Sequence, residues 1–86
     1  MKISVELTLT PLQDDFEIHV KDFIKQLRKS DFEVFENSLS THVYGGYDQL
    51  INFLMPLIKK KFEDQKNVVL QMKIFKGDRS NYVPGF

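Results

Sequence analysis

The segment Asp31–Gly46, DFEVFENSLSTHVYGG, decides the fold. Phe32 and Val34 fall on one side of an extended chain and Phe35 and Asn37 on the other. STHVYG resumes the alternation only a few residues later, so the two runs predict an antiparallel hairpin with Asn37–Ser40 at its turn. On the N-terminal side, Lys2–Thr10 alternates strictly. Ile3, Val5, Leu7 and Leu9 point one way and Ser4, Glu6 and Thr8 the other, a strand that Pro11 should end. Between that strand and the hairpin, Asp14 and Asp15 offer an N-cap to a helix whose Phe16, Val20, Phe23, Ile24 and Leu27 share a face, ending near Ser30. Beyond Gly45 and Gly46, Leu50, Phe53, Leu54, Leu57, Ile58 and Phe62 mark a second amphipathic helix. Pro56 inside it predicts a kink, because proline lacks an N–H and crowds the carbonyl of Asn52. A last strand, NVVLQMKIF, directs Val68, Leu70, Met72 and Ile74 inward and Val69, Gln71, Lys73 and Phe75 outward.

The order strand, helix, strand, strand, helix, strand is the split βαβ pattern of α+β ferredoxin-like folds. Right-handed crossovers place strand one between strands three and four, with both helices on one face of a four-stranded antiparallel sheet. Residues 1–77 form this domain. Residues 78–86 lack periodicity and are expected to be loose or docked on a neighbour.

Composition narrows the function classes. Across 86 residues, 42% are hydrophobic and 13% aromatic, too much apolar material for a disordered chain. Twelve basic residues against twelve acidic ones leave no net charge to draw the chain to nucleic acid or an anionic membrane. The absence of cysteine excludes thiolate zinc and disulfides, and His19 and His42 lie on different elements, so no metal site is expected. The opening residues are too polar for a signal peptide or a membrane span, and a cytoplasmic location is expected. No P-loop ending or nucleophilic triad is present, so neither an enzyme nor a cofactor is expected.

The helices leave one sheet face open. Its outward residues are Ser4, Glu6 and Thr8, then Phe35 and Asn37, then His42 and Tyr44, then Gln71, Lys73 and Phe75. Aromatic rings among neutral hydrogen-bonding groups suit a small-molecule pocket, and equally a subunit interface. Glu6 is equally readable as an exposed cross-strand partner of Lys73, and Asn37 and Ser38 as turn formers bonding their own backbone. Thr41 alternates with Val43 toward the helices. Lys59, Lys60 and Lys61 read as a solvated helix end, and Asp48 as a partner of the helix dipole.

ISVELTLTPL at the N-terminus and ENSLSTHVYGGYD in the middle, joined by this element order, resemble the small thiamine-binding proteins of the YkoF-like family over Lys2 to Gly77. The S-V-E-L element falls on Ser4, Val5, Glu6 and Leu7. The N-x-[ML]-S-T element falls on Asn37, Leu39, Ser40 and Thr41, and G-x-Y-D on Gly45, Tyr47 and Asp48. His42, Gly46 and Pro56 depart from the family pattern. The resemblance implies a ferredoxin-like fold and assembly into dimers or tetramers. It also implies non-catalytic binding of thiamine or its hydroxymethylpyrimidine moiety, with Ser4, Glu6, Asn37, Ser40 and Thr41 as ligand-binding residues, to which the chemistry of the open face adds Tyr44. Glu6 would meet the thiazolium charge or accept from the aminopyrimidine, Asn37 would pair with a heteroaromatic edge, and Tyr44, Phe35 and Phe75 would stack. The competing reading is a self-associating regulatory or structural module without such a ligand. An RNA-binding domain of this fold would need basic excess and an aromatic signature that the chain lacks.

Overall fold

A computed structural model of the protein describes residues 1–85, so Phe86 of the C-terminal tail lies outside the described residues. The elements follow the order β1 (Lys2–Pro11), α1 (Phe16–Arg28), β2 (Glu33–Glu36), β3 (Thr41–Gly46), α2 (Tyr47–Asp64) and β4 (Val68–Lys76). The strands form one antiparallel sheet in the order β2-β3-β1-β4, the α+β ferredoxin-like arrangement. Strand β1 is central because its alternation gives it a fully apolar inner face. Its Val5 stands opposite Val43 of β3 and Ile74 of β4.

The core lies between this inner face and the helices. Ile3, Val5, Leu7 and Val43 from the sheet meet Phe23 and Leu27 of α1 and Leu50, Leu54 and Ile58 of α2, all buried. Each such side chain contributes about 1.5–3 kcal/mol on leaving water. The β3–α2 junction needs glycine at position 45, where a Cβ would come within 2.6 Å of the Phe32 ring. That ring is packed on Phe53 with centroids 5.5 Å apart.

β1 ends at Pro11 as expected, with Pro11 opposite Val68 at the end of the ladder. Several other local expectations are corrected. Asp15 holds the N-cap position of α1 but makes no capping bond; its carboxylate accepts from Gln13 and meets the His19 ring instead. Phe16, the first residue of α1, stays exposed, and Ile74 is exposed on the edge strand β4, since the helices pack mainly over β1 and β3. Pro56 lies inside α2, where the sequence placed it, and the helix extends on to Asp64.

The end of α2 departs most from expectation. Phe62 is exposed, whereas Lys61 is only 5% exposed and pairs with Asp22 of α1. At roughly 100° per residue, Lys61 returns after eleven residues to the azimuth of Leu50, while Phe62 is carried about 80° past the centre of the buried stripe. Lys61 lays its aliphatic stem along the core and delivers its ammonium to the half-exposed Asp22 carboxylate. Removing one partner and matching the hole with an apolar chain therefore have unequal consequences. Asp22→Ala is expected to cost about 1–3 kcal/mol in urea unfolding, between the values for exposed and buried pairs, whereas Lys61→Met stays within about 1 kcal/mol of wild type. Equal losses in the two variants would contradict this account.

Candidate functional site

Register determines which polar side chains meet on the open face. Glu6 stands opposite His42 on one side and Lys73 on the other, Ser4 opposite Tyr44 and Phe75, and Phe35 opposite His42. Cross-strand neighbours of this kind have their Cβ atoms about 5 Å apart, so their polar ends can join. They do. Ser40 Oγ donates to Glu6 Oε2 at 3.0 Å, His42 Nε2 lies 3.1 Å from the same oxygen, and the Tyr44 hydroxyl lies 3.3 Å from His42 Nδ1. An ionised Glu6 only accepts, so Nε2 carries the hydrogen facing it and Nδ1 is left to accept from Tyr44. Lys73 Nζ approaches the other oxygen, Oε1, at 3.8 Å from a largely solvated position. The cross-strand pair expected from the sequence is thus present, but loosely, and Oε1 faces outward.

The Ser40 hydroxyl, followed by the His42 hydrogen bond, holds the Glu6 carboxyl below the usual carboxylate range despite some desolvation. Burial, with Glu33 and Asp78 adding to it, pushes the Tyr44 hydroxyl up, so it remains a donor at neutral pH. A carboxyl with a depressed folded value contributes stability that is complete above its unfolded value, near 4.5, and is lost as pH falls through the folded value. Asp15, Glu36 and Asp78 are depressed in the same sense by Gln13, Arg28 and Ser80 respectively. The melting temperature is therefore expected to hold down to about pH 5 and to fall below about pH 4. The fall should be smaller in Glu6→Gln, and thermal scans from pH 7 to 3 read both.

Glu6, His42 and Tyr44 line an open recess of about 200 Å³ with Ser4, Phe75 and Arg79. It adjoins a second hollow of about 390 Å³, which shares His42, Tyr44 and Arg79 and adds Phe35 and Tyr82. Of the six residues singled out from the sequence, Ser4, Glu6 and Tyr44 line the recess, and Ser40 joins it through Glu6. Ser4 is occupied by backbone: its hydroxyl donates to Gly77 O at 2.8 Å and accepts from Arg79 N at 2.9 Å. Asn37 does not reach the recess. Its Oδ1 accepts from the backbone N–H groups of Leu39 and Ser40, both at 3.0 Å, closing the β2–β3 turn. Thr41 is buried on the helix side, where with Asn37, Leu39 and Val20 it borders a separate cavity of about 240 Å³. A larger cavity, about 560 Å³, opens by Met1, Asp31, Gly46 and Gln49. Volume does not choose the site: the larger cavity, lined by Phe32, Tyr44, Asp31, Glu33 and Asp78, has no carboxylate held by a hydroxyl and a histidine, whereas the open-face recess joins Glu6, clasped by Ser40 and His42, to aromatic rings.

Arg79 is the lining residue that sequence reasoning missed. After β4, Gly77 adopts φ 117°, a turn that favours glycine, and sends the chain back over its own sheet. The guanidinium of Arg79 then sits 4.9 Å from the Phe75 ring centroid and 5.0 Å from that of Tyr82. The sequence signal was Gly77 directly after an alternating strand, with Asp78 and Ser80 able to close a turn. Ser80 N does donate to Asp78 Oδ1 at 2.9 Å.

No family model and no curated protein matches this chain. Solved structures do. A Streptococcus pneumoniae protein superposes with a TM-score of 0.82 at 22% identity, over 91% of this chain and 89% of its own. A Thermotoga maritima protein, provisionally assigned to thiamine biosynthesis or salvage, gives 0.77 at 18% identity over 86% of this chain and 82% of its own. The domain of unknown function DUF77 from Bacillus cereus gives 0.73 at 16% identity over 99% and 84%. The likeness is one of fold. Among the described residues, no helix is long and apolar enough to cross a membrane, and no group of three or more histidines and carboxylates could hold a metal ion.

Proposed function

We propose that this chain is a non-catalytic, cytoplasmic binding protein for thiamine or a related hydroxymethylpyrimidine, acting as a homo-oligomer. The observation that carries the reading is the Glu6 carboxylate, kept ionised by Ser40 and His42 and set beside Tyr44 and Phe75 in one recess. An ionised carboxylate attracts a thiazolium cation and accepts from an aminopyrimidine, while aromatic faces take up a planar heterocycle. The provisional thiamine assignment of the T. maritima protein of like fold points the same way. YkoF-like membership, suggested by Ser4–Leu7 and Asn37–Thr41, belongs to this proposal too.

Assembly would complete the pocket. The recess, about 200 Å³, is by itself below the roughly 300–1,000 Å³ typical of ligand pockets, and it lies open beside the hollow of about 390 Å³. Phe35 and Phe75, 58% and 49% exposed, flank it. A second subunit laid on this face would wall the recess and cover both rings, giving a dimer or tetramer. The same rings support the competing reading, a module that associates through this face without ligand.

Thermal unfolding with thiamine and with hydroxymethylpyrimidine separates the two. A ligand at a hundred times its Kd stabilises by about 2.7 kcal/mol, a rise of roughly 10 °C or more for a domain this small. An unchanged melting temperature at millimolar concentrations of both compounds, in a chain that light scattering shows to be oligomeric, would leave only the second reading.

A further inference from the structure

The arginine on the returning C-terminal segment lies over an aromatic face at the edge of the recess. Arg79 projects a planar cation against the Phe75 face, with the Tyr82 ring as its second contact, and borders the recess that holds the Glu6 carboxylate. Its backbone is anchored independently of that side chain. Gly77 N donates to Lys2 O at 2.9 Å, and the Ser4 hydroxyl clasps Gly77 O and Arg79 N. Among the described residues the guanidinium has no carboxylate partner within ion-pair distance, so the two rings hold it. Swinging the side chain away breaks no backbone hydrogen bond.

We infer that the Phe75 face is a subsite for planar organic cations, that Arg79 is its built-in placeholder, and that an incoming cationic ring displaces the guanidinium. Resting on the ligand reading above, this assigns the two halves of thiamine: the thiazolium to Phe75 and the neutral pyrimidine to the Glu6–Ser40–His42 array. A thiazolium is a better occupant than the guanidinium it replaces, because it desolvates more easily and carries no chain that must be held over the ring. The placeholder makes the recess selective, since only a cation regains what is lost when Arg79 leaves.

The test follows the Arg79 Nε–H resonance, displaced by ring currents, while the intact chain is titrated with thiamine, hydroxymethylpyrimidine or a simple N-methylated thiazolium salt. Thiamine and the thiazolium salt should move this resonance to its solvent-exposed position, and hydroxymethylpyrimidine should not. Arg79→Ala should tighten binding of both cations roughly two- to fivefold, the worth of one exposed cation–π contact. Phe75→Leu, which keeps apolar surface but removes the π face, should weaken them. A stationary Arg79 resonance under the thiazolium salt, or weaker or unchanged cation binding in Arg79→Ala, overturns the subsite. Failure of thiamine and hydroxymethylpyrimidine to bind, with the thiazolium response intact, overturns the proposed ligand and leaves the cation subsite standing.

Discussion

Leu54→Ala is expected to lower the melting temperature by roughly 10–40 °C. Leu54 lies at the middle of α2, fully buried in one cluster with Leu27, Leu50 and Ile58 of the helices and Val5 and Val43 of the sheet. Truncating it removes apolar area and leaves a cavity that strands cannot close up around, at a cost of about 2–5 kcal/mol. Domains of this size lose roughly 4–8 °C per kcal/mol and have only about 5–15 kcal/mol to lose. Phe62→Ala is the control. It removes a larger side chain from the same helix, but one that is 47% exposed, and should shift the midpoint by no more than about 5 °C. Circular dichroism melts of the two variants decide the matter; similar shifts would place the centre of the core elsewhere.

The second large effect concerns binding. On the thiamine reading, Glu6→Gln should weaken the ligand roughly tenfold or more, because it exchanges a charge-assisted acceptor for a neutral amide. The amide also confronts His42 Nε2–H and the Ser40 hydroxyl with an NH2 group or forces it outward, disturbing the array on both sides. Asn37→Ala should act differently. Its oxygen closes the β2–β3 turn and not the recess, so the expected result is a loss of stability of about 1 kcal/mol with little change in affinity. Calorimetric titration of both variants gives the contrast, and a greater affinity loss in Asn37→Ala than in Glu6→Gln would relocate the site to the turn.

These contrasts follow from what was and was not legible along the chain. The alternation in Lys2–Thr10 and the two helical stripes were enough to order the elements and to put Glu6, His42, Tyr44, Lys73 and Phe75 on one face. Periodicity is a local property, and burying the apolar residues forces the rest outward. The partner of each polar group was not legible. Ser4 had the right chemistry and the right side of the sheet, and Asn37 the right chemistry but a place in the turn beyond β2; each had backbone groups closer at hand, which satisfy a hydroxyl or an amide oxygen at little entropic cost.

Alternation and helical spacing sort side chains by burial, which was enough for the topology, the inner core of β1 and β3, and the polar residues of the open face other than Asn37. The clasp of Glu6 by Ser40 and His42, the inward turn of Lys61 to Asp22 and the return of Arg79 against Phe75 came from the folded arrangement alone. Each of these joins groups from different elements. Strand register, helix azimuth and the turn at Gly77 must therefore be set before such contacts can form, and no local pattern encodes them.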